Sequence, residues 1–394
     1  MPQINMRSTE RILTMHAGAL PRPPALREQV LDRARGEAVD EAVFAKGLKT
    51  AVAEIVGQQL ECGLDSVNDG ELSKNSFTEY ARSRIAGFEM RPAAEGRRLD
   101  ISARDRRKFP AYFEDRPLPW MRAAQPVRPV CTGPISYAGA ADLARDLANF
   151  KAALAGHAPA EAFLSAVSPG AIEHWLTNRH YRDDEAFLFA IGDAMREEYR
   201  AIVEAGFLLQ VDAPDLLDAW NCYPEMTLSP YRDYVALRVE AINHALRGIP
   251  RESVRVHVCW GSFHGPHHDD VPLRDIVDLL FRVHAGAFSI EAANPCHEHE
   301  WQVFETVTPP HGATYIPGVV GHSSDFIEHP DLVAERIVRY AKLLGRENVV
   351  AGTDCGLGPR VGHPSICWAK FEALAEGARR ASEVLWGRSA GQSF

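Results

Sequence analysis

The chain is poor in the features that would assign it quickly. No apolar run approaches the ~20 residues that cross a bilayer as a helix, so no membrane association is expected. The opening residues, MPQINMRSTERILTMHAG, lack the apolar stretch of a secretory signal, so a cytoplasmic location is expected. Positive charge is in deficit: 43 Lys and Arg face 53 Asp and Glu, a net charge of −10. Phosphate neutralisation needs clustered positive charge, and this balance argues against nucleic acid as a partner. The seven cysteines are too few and too scattered over 394 residues for a disulfide framework. No GxGxxG follows an apolar run, no GxxxxGK[ST] phosphate loop occurs, and no GxSxG nucleophile elbow is found.

What is present is a globular composition, 46% hydrophobic and 24% charged, sufficient for a large core. Short apolar runs alternate with stretches of helical periodicity. Eight runs read as strands, at 12–16, 64–69, 127–133, 207–212, 254–260, 287–291, 316–321 and 349–354. Helical patterns cover 42–60, 185–205, 231–246, 273–284, 332–344 and 368–385. Alternation of this kind implies a parallel sheet, and eight units imply a (β/α)₈ TIM barrel. Residues 90–122, rich in Arg, Asp and Pro, read as a long excursion after strand two. Residues 137–184 read as inserted helices. No linker or repeat divides the chain, so residues 1–394 are expected to form one decorated barrel domain.

Barrel enzymes carry their chemistry at the C-terminal ends of the strands. Here those ends read MHAGALPRP, VNDGE, VDAPD, VHVCWGSFHG, IEAANPC, GVVGHSS and GTDCGLG. His257 and Cys259 are two apart on a strand and share a face. With Glu291 and Cys355 they make a donor set suited to tetrahedral zinc. Each taken singly also reads as a small buried hydrophobe or a core histidine. Two thiolates and a carboxylate around Zn²⁺ leave an electron-rich centre, better suited to binding and activating an added thiol than to making hydroxide. Asp69, Glu71 and Asp212 are carboxylates at the mouth, fit to hold an ammonium or move a proton, or else to cap helices, as Ser73 also could. His322 reads as a proton donor or a structural hydrogen bonder, and His16 as a substrate or structural residue. Trp260, beside Cys259, completes the candidate substrate wall. FHGPHHDD, residues 263–270, is a rival metal cluster or a solvated, substrate-lining loop. Arg97, Arg98, Arg106, Arg107 and Lys108 read as a solvated face or as a clamp for an anion.

Taken together, HAGALPRP, VNDGELSKNSF, QVDAPDL, HVCWGSF, FSIEAAN and AGTDCGLGPR resemble motifs of the cobalamin-independent methionine synthase catalytic-domain family, over most of the chain. The HxC motif followed by DCGL is specific. The resemblance implies a barrel in which His257, Cys259, Glu291 and Cys355 ligate zinc and His322 shuttles a proton. It implies alkyl transfer, methyl first, from a small-molecule donor to a small thiol acceptor through a zinc-bound thiolate, with Asp212 and Glu71 assisting and no corrin. Ala19 stands where the family often has a carboxylate-binding Ser. HVCWGSFHGPHHDDVPLRDI is similar to the single-barrel branch that includes epoxyalkane:coenzyme M transferases, so epoxide opening by a zinc-bound thiolate is the alternative. A non-catalytic barrel with structural zinc is the third reading. A homo-oligomer is left open.

Overall fold

The computed structural model describes residues 7–387, apart from 77–79, 81–82, 97–98, 118–126, 262 and 359. Its strands are β1 Ser66–Val67, β2 Ile85–Pro92, β3 Val127–Tyr137, β4 Glu161–Val167, β5 Thr177–Asn178, β6 Leu208–Asp212, β7 Val254–Val258, β8 Ala287–Ile290, β9 Thr314–Val320 and β10 Gly352–Thr353. Seven form a curled sheet in the order β1-β4-β6-β7-β8-β9-β10, parallel at every pairing. Residues 13–15 join its two edges. Thr14 O accepts the amides of Asp65 and Ser66, both at 3.1 Å; Met15 N donates to Ala351 O at 2.9 Å, and Ala351 N to Leu13 O at 2.8 Å. Eight segments therefore close a ring, the TIM-barrel arrangement expected from the alternation of strands and helices.

The third barrel strand lies elsewhere than the sequence predicts. Residues 127–133 belong to β3, which pairs antiparallel with β2 and parallel with β5 in a separate three-stranded sheet. β3 is largely half-exposed, as a side sheet should be. The barrel position is filled by β4, inside the stretch read as helical. Its sequence EAFLSAV hides the signal, because Glu161 and Ser165 interrupt the apolar run. Both polar residues have partners inside the barrel: Glu161 lies 3.8 Å from Arg255 and Ser165 Oγ accepts from Gln210 at 3.4 Å. The helix expected over 273–284 is likewise reduced to two short pieces, Leu273–Asp275 and Val277–Leu280, separated by Ile276 at φ −137°.

The long helices form where expected. Glu41–Glu61 starts at Asp40, whose carboxylate takes the amides of Ala42 and Val43, and Asp184–Glu204 starts at Asp183, which takes that of Ala186. Their apolar faces join a continuous core that runs from Ile12 to Ala381. Full burial of a phenylalanine such as Phe163, Phe187, Phe288 or Phe371 contributes on the order of 2–3 kcal/mol. No described helix is long and apolar enough to cross a membrane. The expected excursion after strand two spans β2, helices Ala103–Lys108 and Pro110–Asp115, and β3. It lies against the loops that follow β6 and β7. Arg104 donates to Trp220 O at 2.7 Å and stacks 3.5 Å over the Trp220 ring. Asp105 accepts the amides of His267 and His268 at 2.8 and 2.9 Å.

One buried cation orders the loop after β9. Lys370, on the helix Pro364–Trp386, is fully buried and donates to Gly321 O and to the Glu328 carboxylate, each at 3.0 Å. Lys370→Met should cost ~3 kcal/mol by leaving Glu328 without its cation and Gly321 O without its donor. Chemical denaturation checks this: the midpoint should fall without a change in slope.

Candidate metal centre

The parallel register sets the first ligand. Asp212 of β6 stands opposite His257 of β7, which stands opposite Ser289 of β8. His257 Nδ1 meets Ser289 Oγ at 3.2 Å, which fixes the ring and turns Nε2 away from the sheet. That Nε2 is buried and has no hydrogen-bond partner. Cys259, two residues on, leaves the strand on the same face. Cys355 follows β10, which β9 approaches closely: a Cβ on Gly318 would lie 2.0 Å from Asp354 Oδ1. The ligand atoms of His257, Cys259 and Cys355 all lie within 4.8 Å of one another.

The electrostatics of the trio suit a cation. The closeness of Cys259, then of His257, holds the Cys355 thiol well below the usual thiol range, against its burial. Cys259 is correspondingly pushed well up, by sharing its proton with Cys355 and by burial. Burial alone would lower His257, but contact with Cys355 and the charges of Asp212 and Glu291 raise it. A thiolate, a second thiol and a bare imidazole nitrogen, all facing one point, fit a thiophilic metal such as zinc. The Ser289 contact supplies the outer partner that metal-bound histidines normally have.

Glu291 is placed beside the trio, in a second group. Its carboxylate groups with His322 and Asp354, again with ligand atoms within 4.8 Å. Glu291 Oε2 accepts Trp260 N at 3.1 Å, Oε1 accepts Asn294 Nδ2 at 2.5 Å, and His322 Nδ1 lies 4.0 Å away. Asp354 Oδ1 takes the amides of Ala292 and Ala293 at 2.8 Å. Its Oδ2 and His322 Nδ1 are buried without partners. Burial, reinforced by Glu291, raises the Asp354 carboxyl well above the usual range. Sequence reading passed over Asp354, although its place directly before Cys355 was a signal; Ser289, two residues before Glu291, was another.

The other expected residues divide by role. Burial raises Asp212 to about 7 and Asp69 to about 6. Asp212 is fixed by Gln210 Nε2 at 2.8 Å, and Gln210 is fixed by Arg255 Nε at 3.0 Å. Asp69 accepts the amide of Glu71, which sits at φ 55°. The Glu71 carboxylate leans on Gly18, where a Cβ would come within 2.3 Å of it. Ser73 donates to Asp146 at 2.9 Å. His16 is committed to the protein: Nε2 meets Gln59 at 2.8 Å, Nδ1 accepts Gly18 N, and burial lowers its pKa to about 4. Trp260 is buried, and its ring nitrogen donates to Val271 O at 2.8 Å.

The histidine-rich loop after β7 does not form a metal site among the described residues. Instead it lines a cleft of about 580 Å³ together with residues 296–306. His267 Nδ1 meets Asp270 Oδ2 at 2.9 Å and its Nε2 meets Phe263 O at 3.0 Å. His297, stacked on Trp260 with centroids 3.6 Å apart, meets Asp270 at 3.1 Å and Glu300 at 2.9 Å. The excursion arginines do not clamp: Arg106 pairs with Asp100 and Arg107 with Glu225, while Arg97 and Arg98 lie outside the described residues. The anion-binding step of the epoxide reading has no support at Arg106 and Arg107.

Fold and centre define a parallel barrel with a candidate thiol–imidazole cation site at its mouth. The family of the cobalamin-independent synthase catalytic domain matches residues 125–368, and the chain belongs to that family. Curated relatives named methionine synthase share 24% identity over 374 residues in Saccharolobus islandicus, covering 93% of this chain and 94% of theirs. In Thermococcus kodakarensis the figure is 22% over 348 residues, with 86% and 85% covered. The barrel superposes on a B12-independent methionine synthase from Shewanella sp. W3-18-1, solved with selenomethionine, at a TM-score of 0.70 and 19% identity, covering 96% and 99%. A putative vitamin-B12-independent methionine synthase from Listeria monocytogenes gives 0.65 and 16%, covering 94% and 98%.

Two outcomes are expected. Cys259→Ser and Cys355→Ser should each lose most bound zinc while keeping the far-UV circular dichroism of the barrel; full metal retention in both, measured by atomic emission, excludes the trio as the site. The second concerns pH. Burial would lower His297, but its bonds to Asp270 and Glu300 raise it to about 9 from 6.5. The stabilisation, on the order of 2 kcal/mol, is therefore complete below pH ~6.5, falls across pH 6.5–9 and is gone above. Thermal unfolding of the native chain should weaken over that window, and the gap to His297→Gln should close.

Proposed function

We propose that the protein is a zinc-dependent methyltransferase of the cytoplasm that passes a methyl group to a small thiol without a corrin. The observation that carries this reading is the bare, buried Nε2 of His257 facing Cys259 and Cys355. Thiolate and imidazole donors favour zinc over hard cations. When bound, zinc supplies the positive charge that keeps an acceptor sulfur deprotonated.

The chain's own residues do the rest. Glu291 is assigned as the exchangeable fourth ligand: Trp260 N and Asn294 hold its carboxylate beside the trio, a place to rest when the acceptor sulfur arrives. Asp212 and Glu71, which feel each other's charge, are assigned to a substrate ammonium. His16, Asp69 and Trp260 act one step back, by fixing Gly18, the Glu71 amide and Glu291 respectively. His322 is assigned to hold the proton that the departing group takes. The S–CH₃ bond forms as the donor–CH₃ bond breaks, the thiol proton leaves on binding, and one proton returns to the donor's leaving atom. The curated relatives named methionine synthase make homocysteine the first acceptor to try.

The test is a zinc-edge absorption spectrum of the zinc-loaded protein with homocysteine, coenzyme M, glutathione and cysteine in turn. One thiol should add a Zn–S scatterer and remove an oxygen. Glu291→Gln should keep zinc but change thiol affinity, on the order of tenfold or more. A coordination shell that no thiol alters would leave zinc structural and sink the reading.

A further inference from the structure

The cleft beside Trp260 has an unequal supply of donors and acceptors. Its buried wall contains two carboxylates, and every oxygen of both is already engaged. Asp270 Oδ1 takes Asn221 Nδ2 at 2.6 Å, and Oδ2 takes both His267 and His297. Glu300 Oε1 takes Leu273 N at 2.6 Å and Oε2 takes His297. The histidine partners are a carbonyl and carboxylates, which only accept, so each ring donates from both nitrogens and carries a proton. Burial opposes this, but the Asp270 and Glu300 contacts raise His267 to about 8 and His297 to about 9. The wall is therefore neutral, two histidine cations balancing two carboxylates whose oxygens all have partners.

The rim is the reverse. Arg274, His268, His299 and Gln302 line the cleft and are exposed. Among the described residues their side chains make no hydrogen bond or ion pair. The neighbouring acids are turned elsewhere: Glu298 to Arg336 at 2.9 Å and Asp269 to Arg104 at 3.3 Å. The loop is also fixed in advance, because Asp105 of the excursion holds the amides of His267 and His268. A preformed cleft of about 580 Å³, with an apolar lining from Pro266, Pro272 and Val303, the unpaired guanidinium of Arg274 at its rim and no unpaired carboxylate in its wall, is complementary to an anion with some organic body.

We propose that this cleft is a second binding site, for a small organic anion bearing a carboxylate or phosphate, with Arg274 as its charged anchor. The site adjoins the metal centre through Trp260, whose ring covers His297 and whose amide holds Glu291. The anion could come from two sources: the charged end of the alkyl donor, or a separate metabolite.

Calorimetry on the zinc-loaded enzyme at pH 7, titrated with glutarate and with inorganic phosphate, tests the site at rest, so its result stands whatever the acceptor proves to be. At least one probe should bind saturably, one per chain. Arg274→Ala should weaken that binding about tenfold or more and Arg274→Lys should largely restore it. Zinc content is measured on the same samples and should not change. No saturable binding of either probe up to ~20 mM, or binding that Arg274→Ala leaves unchanged, overturns the proposal. In turnover, a probe that raises the KM of the donor but not of the thiol identifies the donor's charged end. A probe that binds yet leaves the donor KM untouched identifies a separate anion. Both results support the site.

Discussion

The row formed by Asp212, His257 and Ser289 rests on the hydrogen-bond register of three parallel strands, β6, β7 and β8. A slip of one residue in β7 would turn His257 and Cys259 to the other side of the sheet and bring Val256 and Val258 in their place. The register is secured from below, in the barrel interior. Arg255, buried and stacked 4.3 Å over Phe163, holds Gln210, which holds both Ala17 O and Asp212. A charged side chain in so dry a place needs every one of these contacts, and it ties the barrel layer to the row above it.

Above that row the mouth of the barrel holds polar groups that are left open. His257 Nε2, His322 Nδ1 and Asp354 Oδ2 are buried without partners, a costly condition in a folded chain unless something else fills it. The neighbouring polar atoms show the contrast: Asp354 Oδ1 has two amides, Glu291 has two donors, and His257 Nδ1 has Ser289. These three open valences belong to the two groups of potential ligands at the mouth, where a bound ion would fill them.

Much of this was legible in the sequence, for reasons that can be named. HVC puts two donors on one face by strand periodicity alone, and DCG and IEA end in polar residues where a barrel interior should stop. The missed strand, β4, carried Glu161 and Ser165 at inward positions, so its apolar run was broken by residues whose partners, Arg255 and Gln210, lie 45 or more residues away. Strand 127–133 misled for the opposite reason: its Val and Cys residues make a good strand, but nothing local says which sheet it joins. The grouping of Glu291 with His322 and Asp354 was equally invisible, since it depends on rotamers fixed by Trp260 N and Asn294. The cleft wall is non-local too, because His297 reaches Asp270 and Glu300 reaches Leu273, each across 27 residues.

The ring is locked by its two ends. Ser8 Oγ donates to Val349 O, Ile12 N to Ser382 Oγ, and Trp386 Nε1 to Thr9 O, while Met15 pairs with Ala351. On a ribosome the first of these segments is made more than 300 residues before its partners. Until then residues 13–15 and β9 each keep an uncovered strand edge, and the site has Cys259 but lacks Cys355. The final loop closure is long, and contacts of such sequence separation form late. Closure of the ring and completion of the candidate trio thus wait on the same stretch, residues 349–355, and a chain that has not yet made it holds an exposed strand edge and a pair of donors without its third.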